Sequence, residues 1–267
     1  MVIGLILAIV VGITLGLVGS GGTILTVPIL VYLMGVNPIL ATTYSLFAIG
    51  ITSFVGAVKG YREKEVDVKK VFAFGLPSLV MVFITRTFIL PLVPDVIHIG
   101  PWEFEQEVLL MIIFAFVMLA SAISMIKGAN NDTTIIPERV NTPLSLVIGQ
   151  GVFVGMVTGV VGAGGGFLII PALINFFRMP IKRAVSTSLA IIAINSFFGV
   201  LGDLEKFAEF DWLMILTYTF LTVLGLFIGF AVSRKMDGKS LKKLFAYLIL
   251  IIGAYILFRE VFVEGNI

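Results

Sequence analysis

Two stretches of this chain share a glycine pattern suited to holding negative charge: "GSGGTILTVP", Gly19 to Pro28, and "GAGGGFLIIP", Gly162 to Pro171. Glycine reaches positive φ without a Cβ clash, so both clusters are expected to bend the chain sharply. Each is followed by a short apolar segment, whose helical N-terminus would present free N–H groups and about half a positive charge. The candidate anion-lining residues are therefore Gly19, Ser20, Gly21, Gly22 and Thr23 at the first bend. At the second they are Gly162, Gly164, Gly165 and Gly166. The competing role for glycine is close helix packing, and Gly12, Gly16, Gly155 and Gly159 are assigned to it.

A second polar set follows each bend, "ATTYSL" at 41–46 and "AVSTSL" at 184–189. Thr42, Thr43 and Ser45 in the first copy, and Ser186, Thr187 and Ser188 in the second, can line a cavity. They can equally bond back to their own helix. Asn195 adds a buried amide. Arg86, in "VFITRTFILP", is a lone cation within an apolar run. Such a charge is by default functional, and a guanidinium forks onto two oxygens of an oxyanion. The alternative is snorkelling to the outer headgroups. No Asp or Glu lies well inside an apolar segment, so no proton relay is expected.

These residues need a membrane around them. The 267-residue chain is 59% hydrophobic and 13% charged, about half the charge density of soluble domains. Ten apolar segments can be read: 2–18, 23–34, 39–58, 71–93 and 108–126, then 144–161, 166–177, 184–201, 212–233 and 241–258. Several approach the roughly 20 residues that cross a bilayer as a helix. Met1 to Val18 lacks a basic n-region and is read as part of the mature protein. Near-neutral charge, Lys+Arg 18 against Asp+Glu 16, gives no nucleic-acid surface. The absence of cysteine removes thiolate metal sites, and the single His98, placed in a loop, offers no metal site or cofactor anchor. An enzyme is not expected: no membrane-embedded histidine could activate Ser20, and neither an Asp pair nor a GxxxxGK loop is present.

The ten segments form two homologous sets. At a constant offset Gly16, Gly19, Gly21, Gly22, Pro28, Ala41, Ser45 and Ser53 recur as Gly159, Gly162, Gly164, Gly165, Pro171, Ala184, Ser188 and Ser196. Loop charge gives each set an orientation, because Lys and Arg gather on the cytoplasmic side. Loop 59–70, "KGYREKEVDVKK", is basic, whereas its counterpart 202–211, "GDLEKFAEFD", is acidic. Loop 94–107 has no Lys or Arg, whereas 233–243 is basic. Equivalent loops therefore take opposite sides, as in inverted-topology repeats. The expected architecture is an all-α polytopic membrane protein of two inverted repeats, 1–127 and 144–267, joined by a cytoplasmic linker, 128–143. Each repeat opens with a glycine-hinged helical hairpin, and both termini lie outside.

The doubled G-x-G-G-x-x-x-x-x-P pattern, followed by the Ala-x-x-x-Ser-Leu element at Ala41 and Ala184, resembles the TauE/SafE sulfite exporter family over nearly the whole chain. The resemblance implies a multi-pass transporter of the cytoplasmic membrane that moves sulfite or a short organosulfonate outward. The first copy carries Ser20 and Thr23 where the second has Ala163 and Gly166. The residues by themselves also allow an anion channel, or an importer of another small anion. The expected partners are a small anionic substrate and the lipid bilayer, with a homodimer allowed.

Overall fold

A computed structural model describes residues 2–19, 22–94, 96–99, 102–130, 143–177, 179–233 and 238–260. Among the described residues, ten main helices carry the fold. In chain order they are α1 (Val2–Val18), α2 (Thr23–Leu33), α3 (Pro38–Arg62), α4 (Val68–Leu92), α5 (Gln106–Asn130), α6 (Leu144–Val161), α7 (Gly166–Phe177), α8 (Ile181–Leu201), α9 (Trp212–Ser233) and α10 (Gly238–Arg259). Among the described residues α3, α4, α8, α9 and residues 106–124 of α5 are long and apolar enough to cross a membrane. The second helix of each set is short, as the segment lengths require.

Local chemistry sets the helix boundaries. The Asn37 side chain caps α3 by accepting from the N–H of Ile39 at 2.9 Å, with Pro38 in the first turn, where its missing N–H costs nothing. Asp67 caps α4 by accepting from the Lys70 N–H at 3.3 Å. Pro28 cannot donate back to Ile24, and α2 continues beyond it as a wide π-helical turn, Ile29–Leu33. The same device recurs in α4, where a π turn at Thr85–Ile89 precedes Pro91 and carries Arg86.

The helices pair in a reciprocal pattern. α1 packs on α9 and α6 on α4, while α3 crosses α8 and α5 lies along α10. The α1–α9 seam is built from glycine on both sides. A Cβ on Gly12 would strike the Thr222 carbonyl, and one on Gly225 would strike the Ile9 carbonyl. In the second set, a Cβ on Gly155 would strike the Ser78 carbonyl of α4, and Gly159 abuts Thr85. This is the close backbone approach expected of small residues between membrane helices. Because the obstacle at Gly12 is main chain, Gly12→Val is expected to destabilise the protein by at least the roughly 1–3 kcal/mol of a core overpacking. Gly149 has nothing within 4 Å of an added Cβ, so Gly149→Val should leave the thermal midpoint in detergent unchanged while Gly12→Val lowers it.

Three expectations change. Within segment 94–107, β1 (Val96–Ile99) pairs antiparallel with β2 (Trp102–Glu105), which places His98 on a strand opposite Glu103. α5 runs on to Asn130, into the segment expected as linker. Residues 131–142 of the linker lie outside the described residues. Segment 202–211, expected as an acidic loop, forms a 3₁₀ helix, Leu204–Glu209, and holds a buried Asp203.

Candidate functional site

The second glycine bend is the better defined. α6 ends as the Gly162 N–H bonds to the Thr158 carbonyl at 2.9 Å, with Gly162 left-handed at φ +69°. Gly164 and Gly165 follow at φ +64° and +69°, and Gly166 starts α7. A side chain in this conformation costs about 1–2 kcal/mol per residue. In the first bend Gly19 turns at φ +74°, but Gly22 is right-handed at φ −64°. Glycine is needed at 22 for another reason: a Cβ there would strike the Val11 carbonyl and the Thr14 hydroxyl. Ser20 and Gly21 lie outside the described residues.

Each bend docks on the other set's third helix. Gly162 lies against Thr42 of α3, and Gly19 against Val185 of α8, the position equivalent to Thr42. The Ser188 hydroxyl donates to the Gly19 carbonyl at 3.3 Å and to Val185 at 2.8 Å. Gly164 sits between Ile49 and Ile192, themselves equivalent positions, with the Ser196 hydroxyl alongside.

Arg86 stands at this junction. It is 1% exposed, and this rules out snorkelling. Its Nη1 donates to Asp203 Oδ2 at 2.6 Å. The Thr43 hydroxyl donates to the same oxygen at 2.8 Å, and Lys206 Nζ reaches Asp203 Oδ1 at 3.0 Å. Both carboxylate oxygens are thus engaged by cations. Burial alone would raise the Asp203 carboxyl, but Arg86, Lys206 and the Thr43 hydroxyl outweigh it and hold it below the usual carboxylate range. The loop bearing Asp203 is anchored in turn, since the Asp211 N–H donates to the Tyr44 hydroxyl at 2.6 Å. Tyr44 packs edge-on to Phe210, with ring centroids 4.8 Å apart.

The other edge of the guanidinium is unused. Nε and Nη2, the pair that forks onto two oxygens, are buried and have no hydrogen-bond partner among the described residues. Nη2 lies 2.7 Å from where a Cβ on Gly162 would stand. A charged donor edge from one set therefore abuts the glycine bend of the other. Charge-assisted bonds from such an edge are among the strongest a protein offers an oxyanion.

The remaining candidates divide. Thr42 touches the bend but donates its hydroxyl to the Ile39 carbonyl at 2.7 Å. Thr23 and Ser45 are buried, and the Ser45 hydroxyl has no partner among the described residues. Asn195 donates to Ser78 at 2.7 Å and leaves its Oδ1 unpartnered. Ser186 and Thr187 sit away from Arg86: Ser186 abuts Gly60, and the Thr187 hydroxyl accepts from the Asp67 N–H at 3.0 Å. Asp203 and Lys206 were missed by sequence reasoning. Asp203 lies just beyond the end of α8, outside the spanning segment, yet it is buried in the protein. The one available signal was that a buried Arg requires a counter-charge.

Residues 4–256 match the model of the sulfite exporter TauE/SafE family. The chain belongs to the TauE/SafE family. It is 34% identical to a probable membrane transporter protein of Methanocaldococcus jannaschii, over 94% of each chain. It is 25% identical to the probable membrane transporter protein YunE of Bacillus subtilis, over 98% of each. A further probable membrane transporter protein, from Xylella fastidiosa, is 27% identical over 94% of this chain and 92% of its own. No solved structure matches. This TauE/SafE protein is accordingly a multi-pass membrane transporter and not an enzyme.

Proposed function

We propose that the protein carries a small sulfur oxyanion, sulfite or a short organosulfonate, out across the cytoplasmic membrane by alternating access between two inverted repeats. The observation that carries this reading is the buried Arg86, with its Nε–Nη2 edge free of protein partners and set against the Gly162 bend. A buried cation with donors to spare invites an anion, because unmet buried donors cost about 1–3 kcal/mol each. The substrate position comprises that edge and the two bends. The Gly162 bend leaves no room for a side chain beside the fork, so in this reading the cycle parts the bend from Arg86 to admit the anion. The reciprocal helix pairing supports two repeats that exchange roles, and the opposed loop charges support their inversion, with both termini outside.

Two measurements test this. Purified protein in liposomes should carry sulfite or methanesulfonate faster than taurine, which bears no net charge at neutral pH; equal flux of all three, or none, would refute an oxyanion carrier. Because the chain has no cysteine, single cysteines in loops 59–70 and 202–211 can be labelled from outside intact cells. Labelling at 202–211 alone is expected, and labelling at 59–70 would overturn the inverted topology.

A further inference from the structure

We propose that Asp203 and Lys206 set the charge of the carried anion: with Arg86 they leave one net positive charge, matched to a singly charged oxyanion and poorly matched to a doubly charged one. The inference rests on the oxyanion reading above and deepens it.

The three groups form a continuous chain of alternating sign. Arg86 Nη1 and Lys206 Nζ lie 2.6 and 3.0 Å from opposite oxygens of Asp203. The side chains of Arg86 and Asp203 are 0% and 2% exposed, and that of Lys206 is 28% exposed. Arg86 and Asp203 cancel as a buried pair, and Lys206, facing water, supplies the surplus. The surplus is felt at the free Nε–Nη2 edge, on the side of the guanidinium away from Asp203. The buried Thr87 hydroxyl, also without a partner among the described residues, faces Gly202 together with Arg86.

Charge matching follows from how the two opposing energies scale. Attraction to the cluster grows in proportion to the anion's charge. The Born cost of taking that anion out of water grows with the square of its charge. One surplus positive charge can compensate the desolvation of a monoanion. A dianion gains at most twice the attraction against about four times the cost, and leaves the buried site net negative. Asp203 is therefore more than a tether for Arg86. Without it the cluster would carry two positive charges and would suit a dianion.

The test compares methanesulfonate, a monoanion at any neutral pH, with sulfate, a dianion of similar oxygen geometry. Both are titrated into purified wild type, Asp203→Asn and Lys206→Gln, with binding read from calorimetry. Wild type is expected to prefer methanesulfonate by about tenfold, equivalent to about 1.4 kcal/mol. Asp203→Asn should move the ratio toward sulfate by at least that factor. Lys206→Gln should weaken both ligands and sulfate more. Lys206 is partly exposed, so this variant decides the matter even if Asp203→Asn fails to fold. A wild-type preference for sulfate, or a ratio unmoved by the substitutions, would overturn the charge assignment alone. Binding of neither probe to wild type would overturn the oxyanion reading, and this inference with it.

Discussion

Arg86→Gln is expected to abolish oxyanion binding and, separately, to destabilise the protein by about 3–5 kcal/mol, the cost of leaving a buried charge without its partner. The two effects have different origins and can be separated. The stability loss comes from Asp203, whose Oδ2 loses a guanidinium at 2.6 Å. Adding Asp203→Asn removes the orphaned charge, so the double variant should recover most of the lost stability. It should not recover binding, because the Nε–Nη2 edge is still missing. Arg86→Lys keeps the charge but not the planar fork, and should retain the fold while losing most affinity. Thermal unfolding in detergent, with and without methanesulfonate, reads both quantities, since a ligand stabilises by RT ln(1 + [L]/Kd). A double variant that still shows the wild-type ligand shift would move the anion away from Arg86 and onto the backbone amides. The depressed Asp203 carboxyl gives the sign of the pH dependence. A carboxyl lowered by folding contributes stability above its unfolded value and loses it as pH falls through the folded one. The wild-type contribution should thus hold through neutral pH and fade only below about pH 4, whereas Arg86→Gln should show no such loss.

The helices were legible in the sequence because each obeys a local rule. Apolar run length marks α3, α4, α8 and α9; Asn37-Pro38 announces the start of α3; and glycine clusters mark both bends. The two-repeat reading rests on glycines and a proline that recur at constant spacing. What stayed hidden depended on long-range contact. Nothing near Arg86 along the chain points to Asp203, 117 positions away, and Glu205, Glu209 and Asp211 in the same loop were equally plausible partners by charge alone. The Ser and Thr residues after each bend illustrate the same limit. Thr43 and Thr187 lie one helical position apart in repeat register, yet Thr43 joins the Arg86 cluster while Thr187 holds the α4 cap. Sequence shows that hydroxyls are present; which way each helix is turned decides their use. Gly22 makes a related point, since glycine there answers a neighbouring carbonyl rather than a φ requirement.

The largest effect on transport with the fold retained is expected from the second bend. Gly162→Ala adds one methyl group at φ +69°, costing about 1–2 kcal/mol for the left-handed backbone. That methyl would also press on the Thr42 side chain and lie 2.7 Å from Arg86 Nη2. It must displace both, and the Thr42 Cα also stands 2.7 Å away; overpacking of this kind adds about 1–3 kcal/mol. The combined cost of about 2–5 kcal/mol falls below the whole-protein stability of roughly 5–15 kcal/mol, so the variant should still insert and fold. Transport is different, because the bend must approach and leave the fork in every cycle. Flux of sulfite into liposomes is expected to fall at least tenfold, with Arg86 shielded from the anion by the new methyl. Gly164→Val provides the comparison away from the guanidinium. It carries a similar backbone strain at φ +64° but meets Ile192, Ile49 and the Ser196 hydroxyl instead. If the bend acts as a moving element, both variants lose flux, but only Gly162→Ala also weakens methanesulfonate binding. Normal flux in both would reduce the glycines to packing residues and separate Arg86 from any motion of the hairpin.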